Sequence, residues 1–296
     1  MEFKEYFATR RAAVESYLAD YMERSEIGND TLHKAMKHTL FSGGKRFRPT
    51  LAIAAAEVFD KGMETVMPAA CALELIHTYS LVHDDLPSMD DDDFRRGKPT
   101  SHKVFGEAIA ILAGDALLTA AFDLLARNRE VPGVTDSQVL DVVSDVAGAC
   151  GAAGMVGGQA IDIEGTGVEL DSEQIETLDR LKTGALIGVS ARIGAILAGA
   201  SKTDVDSMTR YGQCLGTAFQ ISDDVLDAVG DESKMGKRLR KDEESEKNSL
   251  VRALGLDGAR ERAAQYIGEA KRALEPFGDK ALMLENLADL VVNRES

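Results

Sequence analysis

The chain has 296 residues, 44% apolar and 28% charged, a balance that suits a soluble globular protein able to bury a sizeable core. Fifty acidic against 34 basic residues leave a formal net charge of −16, which argues against nucleic acid as a partner. The N-terminal run Met1-Glu2-Phe3-Lys4-Glu5-Tyr6 has mixed charge and no apolar signal core, and the most apolar stretch, 184–200, is interrupted by Arg192; no membrane span and a cytoplasmic location are expected.

Helical periodicity dominates from end to end. Helices are predicted over 3–23, 29–41, 49–59, 64–86, 104–127, 136–155, 172–199, 204–229, 257–273 and 279–292. Ala and Leu, strong helix formers, recur throughout, and no low-complexity linker divides the chain. An all-α fold is expected, one helical bundle forming a single domain over 1–296. Ser42-Gly43-Gly44 ends one helix, and Pro49 suits the first turn of the next. Pro87 disfavours helical geometry at Leu86, so a helix should stop there and a loop run on to Gly97-Lys98-Pro99. The charge-rich segment 230–248 reads as a mobile loop. Cys71, Cys150 and Cys214 lie in apolar helical sequence without CxxC spacing, as structural thiols in a reducing compartment would.

Two acidic clusters stand out, one from Asp84 and Asp85 to Asp90 and on through Asp93, the other Asp223, Asp224 and Asp227. Like charges ~5 Å apart repel by roughly 3 kcal/mol at an effective dielectric near 20, so such clusters need solvent or cations. Oxygen-only ligands point to Mg²⁺, which keeps several waters and shares itself with substrate phosphates. Asp223 and Asp227, at i and i+4, share a helical face; Asp90 must return to Asp84 and Asp85 through the turn at Pro87. Asp91 to Asp93 read as loop charge.

Cations accompany the acids. Arg95-Arg96 follows the first cluster, and Lys45-Arg46-Phe47-Arg48 follows a double glycine at a helix start, where free N–H groups suit an anion. Lys182 lies mid-helix among apolar neighbours, and Lys237, Lys241 and Lys247 follow the second cluster. Together they supply enough positive charge for two diphosphates. Leu73, Ile76, Leu81, Ile111, Leu112 and Phe219 are candidates for the apolar lining of a shaft holding a hydrocarbon tail. Of the five histidines, His77 is placed to face the same cavity, His83-Asp84 is the possible central pair of a metal phosphohydrolase, and His33, His38 and His102 read as structural.

These motifs carry a resemblance to the short-chain trans-prenyl diphosphate synthases, nearest to the bacterial-type farnesyl diphosphate synthases. It rests on Gly43-Gly44-Lys45-Arg46-x-Arg48-Pro49, His77-x-Tyr79-Ser80-Leu81-Val82-His83-Asp84-Asp85-Leu86-Pro87 and Arg95-Arg96-Gly97-Lys98-Pro99-Thr100. It continues through Ala113-Gly114-Asp115-Ala116-Leu117, Met155-Val156-Gly157-Gly158-Gln159, Lys182-Thr183-Gly184 and Phe219-Gln220-Ile221-Ser222-Asp223-Asp224, and so covers almost the whole chain.

The resemblance implies the all-α prenyl-synthase fold, generally as a homodimer. It implies three Mg²⁺, with Mn²⁺ able to substitute, bridging an allylic diphosphate to Asp84, Asp90 and Asp223, supported by Asp85, Asp224 and Asp227. Arg95, Lys182 and Lys237 would contact that diphosphate; Lys45, Arg48, His77 and Arg96 would hold isopentenyl diphosphate. Thr183 and Gln220 would steady the allylic cation formed on ionisation, and the released pyrophosphate would take the final proton. Where family members often carry glycines, this chain has Arg240-Lys241-Asp242 and Glu246-Lys247-Asn248-Ser249, which leaves Lys237 as the contact rather than Lys241 or Lys247. Tyr79, five residues before Asp84, lies ~7.5 Å down the helix axis; its ring would floor a short pocket, with Ser80 beside it leaving some room, an arrangement that in the resembled family goes with a C15 product.

A C10 or C20 synthase is the nearest alternative. A terpene cyclase would have no need of Lys45, Arg48 and Arg96, a histidine–aspartate phosphohydrolase would need histidine ligands and a transition metal, and a non-catalytic partner subunit would have lost an acidic cluster.

Overall fold

In a computed structural model of the chain, residues 2–25, 28–229 and 248–293 are described; Lys237, Lys241 and Lys247 lie outside them. The apolar pattern decides which helices lie at the centre. α4 (Met67–Asp84) buries thirteen of its eighteen residues. Helices α3 (Phe47–Glu57) and α10 (Ala185–Leu197) are nearly as enclosed, and α3 packs between α4 and α10. Around them stand α1 (Phe3–Arg24), α2 (Asp30–Leu40), α5 (Ser101–Phe105), α6 (Glu107–Arg127), α7 (Asp136–Cys150), α8 (Met155–Glu164), α9 (Ser172–Asp179), α11 (Lys202–Val229), α12 (Leu250–Leu274) and α13 (Leu282–Val292). The expected all-α architecture is what the chain adopts, and its three cysteines are buried and unpaired.

Three departures from the sequence reading have physical causes. The stretch expected to be one helix over 136–155 breaks at Gly151, and a separate helix, α8, follows. Gly157 and Gly158 lower the helix propensity of α8, yet a Cβ on Gly158 would stand 2.4 Å from the Lys182 backbone nitrogen, so the glycine permits a close crossing. The helix expected over 172–199 contains a π segment at Arg180–Gly184 between α9 and α10. The loop expected up to Pro99 contains a two-stranded hairpin, β1 (Phe94–Arg95) and β2 (Lys98–Pro99), with Arg95 opposite Lys98. Its two turn residues, Arg96 (φ 53°) and Gly97 (φ 74°), both have the positive φ of a tight hairpin turn.

Buried polar groups tie the helices together. Asn128 accepts from Ala69 N at 2.8 Å and donates to Thr65 O at 2.9 Å, satisfying an amide in the first turn of α4. Arg46, itself left-handed at φ 52°, donates to Glu74 Oε1 at 2.7 Å and to Leu40 O at 2.7 Å, joining α2, α3 and α4. Asn248 bonds Gly165 O, Val168 O and Leu170 N, clasping the loop after α8.

Two stretches, 107–130 and 136–164, are long and apolar enough to cross a membrane by composition alone; the first has a mean hydropathy of 1.9. Here they belong to the bundle, with α6 packed on α4 and α7 on α10.

α11 meets the π segment through bare backbone: a Cβ on Gly216 would lie 2.6 Å from Gly184 Cα. Gly216→Ala should therefore destabilise the protein by about 1–3 kcal/mol through overpacking. Gly268→Ala, whose Cβ meets only the Arg272 guanidinium at 3.7 Å, should gain up to about 1 kcal/mol. Thermal melts of the two variants should move in opposite directions.

Candidate active site

α4 ends at Asp84, and the chain folds straight back. Leu86 N bonds His83 O (3.1 Å), Met89 N bonds Leu86 O (2.9 Å), and Asp90 N bonds Asp84 O (2.9 Å), so the Pro87 turn returns Asp90 beside Asp84 as expected. Burial pushes the Asp84 carboxyl up to about 6; Asp90 and Asp85 add to this, while Lys182 and Arg95 oppose it. Asp85 is also raised to about 6 by burial, against the pull of Arg95, whose Nε donates to Asp85 Oδ1 at 2.7 Å. The loop acids that follow have partners of their own: Asp92 lies 3.6 Å from Arg95, and Asp93 pairs with Lys103 at 2.6 Å. Asp91, Asp93 and His102 bring ligand atoms within 4.8 Å of one another at the outer edge of this loop.

The second bank comes from α11. Asp223 lines the cavity, and Asp224 and Asp227 are buried behind it. An ionised Asp224 only accepts, so the Gln220 amide must present Nε2 to Asp224 Oδ1 (2.8 Å) and Oε1 to Thr183 Oγ1 (2.6 Å), which then donates. This relay holds two electronegative oxygens on the cavity wall. Beside it in the π segment, Lys182 Nζ donates to Asp162 Oδ2 at 2.5 Å. π turns recur at functional sites because they reset which side chains face a cavity.

Asp84 and Asp223 face a common cavity of about 560 Å³. Arg95, Lys182, Thr183, Gln220, His83, Tyr79 and Ser80 share its lining. Met155, Val156, Gln159, Ala160 and Ile163 of α8 supply a largely apolar wall with Leu81, Met89 and Phe219. A second cavity, of about 520 Å³, is lined by Arg11, Gly44, Lys45, Arg46, Arg48, His77, Arg96 and Glu74, with Leu290 and Val291. Arg48, His77, Arg96 and Phe219 line both, so the two spaces meet at those side chains.

That junction is strongly cationic. Burial brings the Arg48 guanidinium down to about 10, still charged at neutral pH, and its Nε has no hydrogen-bond partner among the described residues. Burial, with Arg48, Arg96, Arg95 and Arg46 nearby, holds the His77 imidazole well below its usual pKa and therefore neutral. Arg96 donates to Gly43 O, and its guanidinium occupies the space a Cβ on Gly44 would need, at 2.9–3.0 Å. The double glycine thus serves the approach of the hairpin as well as the turn.

Several expected lining residues lie elsewhere. Leu73 and Ile76 are fully buried in the helical core, and Ile111 and Leu112 are 44% and 52% exposed on the outer face of α6. The wall they were expected to form comes instead from α8, whose residues 156, 159, 160 and 163 recur at helical spacing, the one signal that would have found it. Asp162 and Asp179 were also missed. Burial, with Asp224 and Asp162 close by, pushes the Asp179 carboxyl well above the carboxylate range.

The carboxylates facing the cavity form an oxygen-only set suited to a hard divalent cation, and the burial that raises Asp84 to about 6 is a cost that a bound cation would relieve. Mg²⁺ therefore fits the residues present.

A helical bundle with two acidic banks facing across a cavity, and a cationic cavity adjoining, defines an all-α enzyme acting on diphosphates. The comparisons with known proteins agree: the polyprenyl synthetase family pattern matches residues 29–279, and the chain belongs to that family and is a prenyltransferase. It is 41% identical to the farnesyl diphosphate synthase of Bacillus subtilis over 98% of this chain and 97% of that protein. It is 42% identical to the geranylgeranyl diphosphate synthase of Cyanophora paradoxa over 93% and 95% of the two chains. The crystal structure of an FPP/GFPP synthase from Zymomonas mobilis superposes with a TM-score of 0.86 at 36% identity, covering 98% of each chain. The phosphohydrolase alternative falls with this, and His83 is already committed to Ile111 O through Nε2 at 3.0 Å.

A carboxyl whose folded pKa of about 6 exceeds the ordinary 3.8 favours the fold when protonated: that stability is complete below 3.8 and is lost as pH rises through 6. Asp84→Asn should therefore stabilise the metal-free protein at pH 7.5 by roughly 1–3 kcal/mol while removing activity. Thermal melts should show this gain shrinking towards pH 4; a lower melting temperature at pH 7.5 would contradict the burial cost assigned to Asp84.

Proposed function

We propose that this chain condenses isopentenyl diphosphate with dimethylallyl and geranyl diphosphates, giving farnesyl diphosphate and pyrophosphate. The observation that carries the reading is the meeting of two cavities at Arg48, His77, Arg96 and Phe219, one flanked by Asp84 and Asp223, the other by cations. Asp84, Asp90 and Asp223, backed by Asp85, Asp224 and Asp227, hold Mg²⁺, three ions by the family resemblance, with Mn²⁺ a possible replacement. Bound there, the metal supplies Lewis-acid charge to the leaving diphosphate.

Arg95 and Lys182 hold the allylic diphosphate, and Lys45, Arg48, His77 and Arg96 hold isopentenyl diphosphate. Arg48 and Arg96, reaching both spaces, set the two substrates side by side, so that the isopentenyl double bond lies near the allylic C1. The Thr183 and Gln220 oxygens, polarised by Asp224, steady positive charge on the allylic fragment as its C–O bond breaks. Neutral His77 adds no positive charge beside that cation. The new bond forms at C1 and the proton leaves to pyrophosphate.

The C15 limit is assigned to Tyr79, buried in the cavity wall with its ring edge-on to His83 at 5.7 Å. Ser80, whose hydroxyl donates back to His77 O at 2.9 Å, leaves room beside it. A homodimer is supported by the outer face of α6, where Ile111 and Leu112 stand exposed. A single domain over 1–296 and a cytoplasmic setting fit the continuous bundle and the unpaired cysteines.

Purified protein with Mg²⁺, isopentenyl diphosphate and dimethylallyl diphosphate should yield farnesyl diphosphate, read as farnesol after dephosphorylation. Tyr79→Ala should shift the main product to C20. Absence of any condensation product would overturn the function, and an unchanged C15 product from the variant would remove Tyr79 from its role.

A further inference from the structure

His83 sits on α4 between Asp84 and the floor residue Tyr79, and its ring belongs to the wall of the hydrocarbon cavity. A carbonyl only accepts, so the 3.0 Å contact with Ile111 O means that His83 Nε2 carries the hydrogen and donates it. The imidazole therefore leans onto α6 while still bounding the cavity.

What it leans into is a missing side chain. A Cβ on Gly114 would stand 2.1 Å from His83 Nε2, 2.5 Å from Cδ2 and 2.8 Å from Cε1. No positive φ calls for glycine at this position, which lies inside α6, where glycine costs about 1 kcal/mol relative to alanine. The tight fit against the His83 ring is the packing reason that offsets this cost. Around the ring, Tyr79 closes one side edge-on and Val82 is fully buried. His83 itself lines the cavity, so a ring displaced from α6 has that space beside it.

We propose that Gly114 and His83 form a second determinant of product length, set in the side wall of the cavity above the Tyr79 floor. The notch at Gly114 lets the imidazole sit back in the side wall, where it still bounds the lumen; any side chain at 114 turns the ring further inward and narrows the lumen, and removal of the ring widens it. This rests on the chain-elongating function proposed above, and adds to the floor a lateral control supplied by a different helix.

The test is a cycle of Gly114→Ala, His83→Ala and the double variant, each assayed with dimethylallyl and with geranyl diphosphate, all product ratios being read relative to wild type. Gly114→Ala should raise the C10:C15 ratio about tenfold, the discrimination a methylene-sized change makes in an apolar pocket, with KM for geranyl diphosphate rising more than KM for dimethylallyl diphosphate. His83→Ala should move products the other way, towards C20. In the double variant no ring remains to be displaced, so its products should match those of His83→Ala. Equal loss of activity with both primers at an unchanged product ratio, or a double variant that still makes short products, would overturn the inference. Should Gly114→Ala fail to fold, His83→Ala, which introduces no clash, decides: an unlengthened product overturns the inference. A wild type that makes C10 or C20 would remove the C15 assignment alone, because the directions of the shifts still read the contact.

Discussion

Asp84 stands at the end of a helix whose residues are almost all withdrawn from water, and its carboxyl is forced up to about 6 by that burial. Across the cavity Asp223 lines the wall with Asp224 and Asp227 buried on the same helix, and Asp179, close to Asp224, is pushed up by burial in the same way. The molecule keeps carboxylates where the dielectric is low and places its own cations so that they only partly offset them. Arg95 is bound to Asp85 and Lys182 to Asp162, so these two cations of the cavity wall already have carboxylate partners. Asp84 and Asp223 face the cavity, where divalent cations would offset their charge and carry the excess positive charge that holds a diphosphate.

The neighbouring cavity inverts this arrangement. There the buried Arg46 spends its two terminal nitrogens on Glu74 and on Leu40 O, and among the described residues both its Nε and that of Arg48, two residues on, lack a hydrogen-bond partner. Arg46 builds the helix junction through those bonds, whereas Arg48 is the one that lines both cavities, where a ligand can reach it. The hairpin completes the division: its left-handed turn sends Arg95 towards the acidic bank and Arg96 towards the double glycine. Two sites of opposite sign meeting at shared side chains are what a condensation of two diphosphates requires.

Much of this was legible in the sequence where local rules act alone. The i, i+4 spacing of Asp223 and Asp227, the stop at Pro87 and the double glycine before Lys45 each correspond to the observed local geometry. The reading lost its way where packing decides. α4 is buried nearly all round, so its apolar pattern could not separate the core positions Leu73 and Ile76 from the cavity positions Tyr79 and Leu81. α8 was hidden because Gly157 and Gly158 look like helix breakers until the crossing with Lys182 is seen. Asp179 looks like any helix acid in sequence, and only its enclosure by Asp224 and Asp162 marks it out.

The central claim is that two diphosphate sites lie side by side, one needing metal and one served by protein cations. Calorimetric titration of isopentenyl diphosphate and of a non-ionisable allylic thiodiphosphate, each with and without Mg²⁺, tests it most directly. The account predicts that the allylic analogue binds only when Mg²⁺ is present, whereas isopentenyl diphosphate binds the metal-free protein and loses that binding in Arg48→Ala. Equal dependence of both ligands on Mg²⁺, or binding of the allylic analogue without it, would contradict the account.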